Sequence, residues 1–525
     1  MGSSVSPSAA KRSITDNDIS TLRTLLSISS PTLLTPQDAE YPASIRRWSR
    51  AAEKPAGAVL CPSNAEEVSI AIKYATDQNI DVAVKGGGHS TAGASSTSGG
   101  LLIDLAAKMR QVSVDVERRL LHVQGGCTWG DVDQAGSKHG LATVGGTVAD
   151  TGVGGLTLGG GYGFLSGQHG LTIDNLVECT VVLANGEIVR ASDDTHGDQD
   201  LFWAVRGAGQ NFGVVTEFVF RAFDHSEVWA GLLLYPPTPE ILAQVVAATN
   251  ELYMPDSNGR TRGAGRAAGG LGLARPPPPP ESNNSSTTQP EVMILVSVIY
   301  FGSETEGKQV FRPFYEINNG AGVGPVVDTT AVVPYPVVNT LLAPPIGLRS
   351  SMKGAAFTLP IRPEFVQTVL DDYIQFTNDS NDNDTGYSLV LWEMYDPAQV
   401  VTNADVGCFA NRGWHLNGLI CPLWTDPKKD AACRQWARHI NELFKKELES
   451  RGNKTGTGVD GGVGLRGEKG AVLLYGNYDQ YDERSRDIFG DNYPRLQALK
   501  ARYDPTNTFD KLFPISPAPL VAQEA

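Results

Sequence analysis

Positive charge is in short supply in this chain. Lysine and arginine number 43 against 58 aspartates and glutamates, a formal net charge of −15. Nucleic acids and anionic membrane surfaces both recruit basic patches, so neither is expected as a partner. Long hydrophobic runs are missing too: no segment approaches the roughly 18 apolar residues of a membrane-spanning helix. Cysteine is sparse, and Cys61, Cys127, Cys179, Cys408, Cys421 and Cys433 form no CxxC pair and no metal-ligand spacing. They read as buried thiols, and no metal is expected. The polar opening Met1–Ser6 has no apolar core of the secretory kind, so the expectation is a cytoplasmic protein.

Glycine is what the chain has in excess. Its 525 residues include 57 glycines, above the usual share of about 7%. They cluster, and clusters point to ligand sites lined by backbone. The first follows a β-branched run, Val82-Ala83-Val84-Lys85, and reads Gly86-Gly87-Gly88-His89-Ser90. Consecutive glycines reach positive φ and let the backbone approach a ligand closely. Successive N–H groups in such a turn form a nest that suits a pyrophosphate. The spacing is neither GxGxxG nor a loop ending in GK[ST]. The second cluster, Gly145–Gly163, interleaves glycine with Leu156, Leu158 and Tyr162. A linker would be rich in serine without such apolar residues, so this stretch too reads as a surface for a flat or extended ligand.

At 41% apolar and 19% charged residues, the chain is ordinary globular material, long enough for two or three domains. Ala58–Leu60 predicts a strand, and Ser63 with Glu66 predicts a capping box opening a helix to Gln78. Strands are expected at Val82–Val84 and Leu101–Leu105, then a hairpin of Val112–Val116 with Leu120–Val123. Thr128 with Asp131 opens another helix, and Val177–Leu183 turns at Asn185-Gly186 into Ile188-Val189. A βαβ start giving way to hairpins is an α+β signature rather than a doubly wound one. Further on, strands are expected at Val214–Phe220, Val228–Tyr235, Val292–Phe301, Tyr387–Tyr395, Leu416–Leu423 and Val472–Tyr475. Helices are expected at Glu240–Leu252, Asp430–Arg451 and Tyr493–Tyr503. Asp256–Pro290, with five consecutive prolines and Ser/Asn/Thr runs, reads as a disordered insertion.

Three motifs together resemble the berberine bridge enzyme-like family of flavin-linked oxidases: Lys85–Gly93, the cluster Gly145–Gly163, and Tyr475-Gly476-Asn477-Tyr478 with Asp504-Pro505-Thr506-Asn507. The resemblance implies an α+β fold with a two-part PCMH-type FAD-binding domain and a substrate domain whose antiparallel sheet is flanked by helices. By that pattern residues 1–54 are a lead-in and 55–225 the FAD-binding domain. Residues 226–470 form the substrate domain, with the insertion at 256–290, and 471–525 return to the FAD domain. The resemblance implies that His89 bonds covalently to FAD, with Lys85, Gly86, Gly87, Gly88 and Ser90 in the pyrophosphate turn. Thr147, Thr151, Gly152, Gly155, Leu156, Gly161, Gly163 and Val215 match the flavin lining. Asn477 and Tyr478 match residues at the reacting face, with Tyr478 as the catalytic base.

The chain also departs from that pattern. Members with two covalent flavin bonds carry a cysteine where Val148 stands here, so a single tether through His89 is expected, Cys127 being remote in sequence. Thr151 replaces an aliphatic residue at a position tied to oxygen access. Leu416–Cys421 lacks the glutamine or glutamate that relatives often present to substrate, while Trp414 and His415 are candidates to line the pocket. Lys353 and Arg412 are candidates for a cation that lowers the Tyr478 pKa. The implied reaction moves a hydride from a small-molecule alcohol, amine or phenol to FAD and then to molecular oxygen, giving hydrogen peroxide. A cyclase or isomerase without net oxidation, and a dehydrogenase with another acceptor, stay open.

Overall fold

The computed structural model describes residues 10–276, 291–320, 322–378, 384–451, 455–457, 463–465, 473–478 and 484–519. It is an α+β fold built on three main sheets. In the first, Ala58–Cys61, Leu101–Asp104 and Val82–Lys85 pair parallel in that order, and Thr32–Leu34 adds antiparallel at the edge. Leu101, Leu102 and Ile103 are all fully buried. A parallel strand is covered on both faces, which is why this one is an unbroken apolar run. The crossover helix Ala65–Asp77 is capped by Asn64, whose side chain accepts from Glu67 N, while Ser63 N donates to the Glu67 carboxylate. The cap therefore lies one residue later than the Ser63–Glu66 reading, because asparagine competes well with serine for that role.

The second sheet is antiparallel throughout, in the order Val112–Asp115, Leu120–Gln124, Val214–Arg221, Leu176–Val182, Ile188–Ser192. Both expected hairpins are present, and Thr128 and Asp131 form the expected capping box.

The third sheet has eight antiparallel strands; its consecutive run is Glu227–Tyr235, Met293–Tyr300, Ala267–Ala274, Leu389–Tyr395, Leu416–Cys421 and Lys353–Phe357. Helices Pro239–Tyr253, Pro363–Thr377 and Asp430–Ser450 cover one face, where Val245, Val369, Ile440 and Phe444 meet Leu271, Val296 and Trp392 in one core. Side chains alternate along a strand, so Leu389, Leu391, Glu393 and Tyr395 point to the other face, and all four line a cavity there.

The insertion read across Asp256–Pro290 needs correction. Ala267–Ala274 is a buried central strand of the third sheet; residues 277–290 lie outside the described residues. Glycine counts against a strand by propensity, but here its neighbours fill the space. A Cβ on Gly269 would stand 1.9 Å from Ser297 O, and one on Gly270 would stand 2.8 Å from a Leu391 methyl. Leu473–Tyr475 forms no strand, and Val472 lies outside the described residues.

The C-terminal segment returns to the first half of the chain. Ile488, Phe489, Leu496, Leu499, Phe513 and Ile515 share a core with Leu121, Val123, Phe218 and Phe220. Lys500 and Asp504, both side chains fully buried, pair at 2.7 Å, and the Lys500 ammonium also donates to the carbonyls of Asn211 and Phe509. Three acceptors around one buried ammonium satisfy all of its donors.

Candidate active site

The Val82–Lys85 strand delivers its glycine turn to a cavity of about 300 Å³, and Gly86, Gly87, Gly88, His89 and Ser90 all line it. Gly88 has φ +70°, the left-handed conformation that glycine tolerates best. A Cβ on Gly87 would stand 2.4 Å from Gly152 N, and one on Gly152 would stand 2.4 Å from Gly87 N. The two glycine clusters therefore meet backbone to backbone, which no larger residue permits at either position. Thr147, Thr151, Gly152, Gly155 and Leu156 extend the same wall, with Val215 from the second sheet.

Three of the expected residues stand outside the lining. Lys85 turns its ammonium to Asp104 at 3.0 Å and to the Ser44 carbonyl at 3.1 Å, a part-buried pair that anchors the strand. Gly161 packs beneath Thr172, and Gly163 passes so close to the Gly145 carbonyl that a Cβ would be 1.9 Å from its oxygen. These two glycines shape the loop from behind.

His89 is clamped on one side by Trp48, whose ring stacks on it at 4.4 Å with a 22° tilt. Trp48 N in turn donates to the Gly88 carbonyl at 3.1 Å. On the other side His89 Nε2 stands 3.3 Å from Asp150 Oδ1. Both atoms are buried, and they make no formed hydrogen bond.

Tyr478 and Asn477 line the same cavity. Asn477 Nδ2 donates to the Leu156 carbonyl at 3.0 Å and to Tyr475 Oη at 2.9 Å, fixing it against the second glycine cluster. Tyr478 Oη donates to Glu393 Oε1 at 2.9 Å. Glu393 is 2% exposed, and burial pushes its carboxyl up to about 7 although the Tyr478 and Tyr395 hydroxyls pull it down. Its other oxygen, Oε2, is buried without a hydrogen-bond partner. Burial first, and the Glu393 charge second, hold the Tyr478 phenol well above its ordinary value of 10.

That geometry corrects the expectation of a cation beside Tyr478. Arg412 is spent on Asp174 in a pair with side chains 3% and 2% exposed, and Lys353 does not line the cavity. Trp414 is 44% exposed, and His415 is buried, where desolvation lowers its pKa to about 4; neither is in the lining. The Leu416–Cys421 strand supplies apolar Leu419 and Cys421, as expected. The carboxyl beside Tyr478 comes instead from its neighbour, Leu389–Tyr395, which the sequence reading did not single out. One signal was available there: a lone glutamate inside the apolar run Leu389-Val390-Leu391-Trp392-Glu393-Met394-Tyr395. A buried carboxyl in such a run needs a reason.

The residues present fit FAD. A backbone nest continues into a flat glycine wall, a buried histidine nitrogen makes no formed hydrogen bond, and apolar Leu389, Leu391, Leu419 and Leu423 line the cavity along with the Tyr478–Glu393 pair. Val148 lines the cavity where a second covalent bond would need a thiol. The Cys127 thiol points instead to the Gln111 carbonyl at 3.4 Å, and burial pushes it up to about 12.

Comparison with known proteins agrees with this reading. A family profile described as FAD binding domain matches residues 56–192, and one described as berberine and berberine like matches residues 474–512. The FAD-linked oxidoreductase pgmH of Aspergillus terreus is 31% identical over 494 residues, 92% of each chain. The (R)-6-hydroxynicotine oxidase of Paenarthrobacter nicotinovorans is 35% identical over 239 residues, 44% of this chain and 51% of its own. Among solved structures, glucooligosaccharide oxidase from Acremonium strictum superposes with a TM-score of 0.74 at 20% identity, covering 95% of this chain and 98% of that one.

Proposed function

The chain belongs to the berberine bridge enzyme-like family of FAD-linked oxidoreductases, and from that premise we propose that it is an oxidase of a small, mainly apolar alcohol, amine or phenol. In this reading residues 55–225 and 471–525 hold the cofactor, and residues 226–470 roof the substrate. Gly86, Gly87, Gly88 and Ser90 offer backbone N–H groups to the pyrophosphate. Thr147, Thr151, Gly152, Gly155, Leu156, Val215 and Asn477 face the ring system, and His89 tethers it through one covalent bond. When bound, FAD accepts the hydride equivalent taken from the substrate carbon and passes the electrons to molecular oxygen, releasing hydrogen peroxide.

The chain's own part is position and proton handling. Tyr478 is held as a neutral phenol, so it does not act as a standing phenolate. Its oxygen accepts the substrate O–H or N–H proton while its own proton moves to Glu393 Oε1, 2.9 Å away. Glu393, with a pKa of about 7, is matched to accept a proton near neutral pH. Leu342, Pro344, Met352, Leu389, Leu391 and Leu423 keep water from the site. A sugar would bring hydroxyls that such a wall leaves unpaired, at about 1–3 kcal/mol for each buried group. An aromatic or aliphatic body with one acidic O–H or N–H suits it better.

The observation that carries this reading is the Tyr478–Glu393 hydrogen bond inside the cavity that the glycine clusters line. The test begins with the absorbance spectrum of the purified protein and acid precipitation. Flavin colour in the pellet, lost from it in His89→Ala, is the expected result. Peroxide is then assayed with phenols, amines and gluco-oligosaccharides, and only the first two classes are expected to respond. Cofactor reduction without peroxide would mean a dehydrogenase, and product without either would mean a cyclase or isomerase. A folded, FAD-supplied protein without flavin absorbance would refute the reading.

A further inference from the structure

His89 Nε2 and Asp150 Oδ1 are two buried polar atoms that face each other at 3.3 Å, and neither makes a formed hydrogen bond. Leaving such groups unmade costs about 1–3 kcal/mol apiece, so their juxtaposition calls for a use. The surroundings hold both in place. Trp48 stacks on the His89 ring. The loop under Asp150 is pinned on three sides: Ala149 N donates to the Asn339 carbonyl at 3.0 Å, Gly130 N to the Ala149 carbonyl at 2.8 Å, and Trp129 N to the Thr151 carbonyl at 3.0 Å. The carboxylate is thus fixed toward one particular ring nitrogen of the residue that the proposed function assigns to the tether.

Resting on that assignment, we propose that Asp150 is the positioning residue for covalent attachment of FAD. The Asp150 carboxylate takes the Nε2–H of His89, which fixes the tautomer and leaves the Nδ1 lone pair free. A carboxylate behind an imidazole also raises the basicity of the opposite nitrogen, as it does for metal-binding histidines. Nδ1 forms the new N–C bond to the flavin 8α-methyl carbon. One C–H of that methyl and the Nε2–H of His89 are lost, and Asp150 receives the imidazole proton as positive charge builds on the ring. The two electrons released leave, with the two protons, to molecular oxygen as hydrogen peroxide, so the sum is histidine, FAD and oxygen giving tethered FAD and peroxide.

The test mixes full-length apoprotein with FAD in air and follows the acid-stable flavin fraction and the intact mass over time. Wild type should gain the mass of one FAD less two hydrogens, and His89→Ala should gain none. Asp150→Asn should still bind FAD reversibly, seen as colour released by acid, yet attach it at least tenfold more slowly. Asp150→Glu should recover part of the rate, which a merely structural role would not produce. Attachment in Asp150→Asn at the wild-type rate would overturn the role of Asp150 alone, and so would loss of all FAD binding that Asp150→Glu does not restore. A wild type whose FAD is wholly released by acid would overturn the tether at His89 and this role with it.

Discussion

Glu393 loses its proton in the range where the enzyme is expected to work, because burial holds its carboxyl at about 7. The proton-accepting form is the ionised one, so kcat/KM should rise with pH through about 7 and then level. Glu393→Gln keeps the shape and removes the titration. It should lower kcat/KM by about 10²–10⁴-fold, the span of a lost general base, and flatten that limb of the profile. A variant that keeps the limb would assign it to another group. Asp133 shows a different consequence of burial. Its carboxyl is fully buried with Asn339 Nδ2 at 2.5 Å, and desolvation raises it to about 8. A pKa raised above the unfolded value stabilises the fold at low pH, and that stability is lost as pH rises from about 4 through 8. Asp133→Asn cannot ionise, so its melting temperature should fall less than that of wild type between pH 5 and pH 8. Thermal melts at both values measure the difference. Of these two carboxyls, only Glu393 had a local mark, its place alone in an apolar run; for Asp133 burial comes from the sheet and helix packed above, which no short motif records. His89, Tyr478 and the glycines of the first turn, all of which line the cavity, could be picked out because contiguous motifs carry them.

Elements that cross between the halves of the chain carry the site as much as the motifs do. The segment around Asn403–Arg412 is tied down by the Arg412–Asp174 pair, and Asn403 Nδ2 donates to the same carboxylate at 3.1 Å. One residue before Arg412, Asn411 Oδ1 accepts the Tyr162 hydroxyl at 2.7 Å, and Tyr162 lines the cavity. Removing one member of a buried pair leaves the other charge without compensation, at about 3–5 kcal/mol. Arg412→Ala should therefore lower the unfolding free energy by that amount in denaturant titration, and a loss under about 1 kcal/mol, typical of an exposed pair, would contradict the burial argument. Strands with alternating or β-branched patterns, such as Leu120–Gln124 and Val214–Arg221, were legible in the sequence. Ala267–Ala274 was not, because each glycine there is explained by an atom from another strand. Its partners Ser297 and Leu391 lie 28 and more residues away along the chain.

For the whole molecule the decisive feature is that the C-terminal segment completes a core begun some 300 residues earlier. Leu121, Val123, Phe218 and Phe220 from the second sheet pack with Ile488, Phe489, Leu496, Leu499, Phe513 and Ile515. Burying each large apolar side chain contributes about 1.5–3 kcal/mol, so the six from the C-terminal segment together match the roughly 5–15 kcal/mol by which a domain is stable at all. The buried Lys500–Asp504 pair adds a second constraint, because the ammonium donates to the Asn211 carbonyl across the junction and is satisfied only when both halves are docked. The cavity spans the same junction: Gly86–Ser90 come from the first half, Tyr478 and Asn477 from just before the returning segment, and Phe509 and Leu512 from within it. A chain ending before Arg484 keeps every residue proposed for the tether and the proton relay, so motif content alone would leave it able to bind FAD. Packing argues the reverse. That truncation should yield no soluble, flavin-containing protein, as read by gel filtration and absorbance at the flavin bands, whereas a soluble yellow product would show that the first half folds without the surface on which the C-terminal helices close.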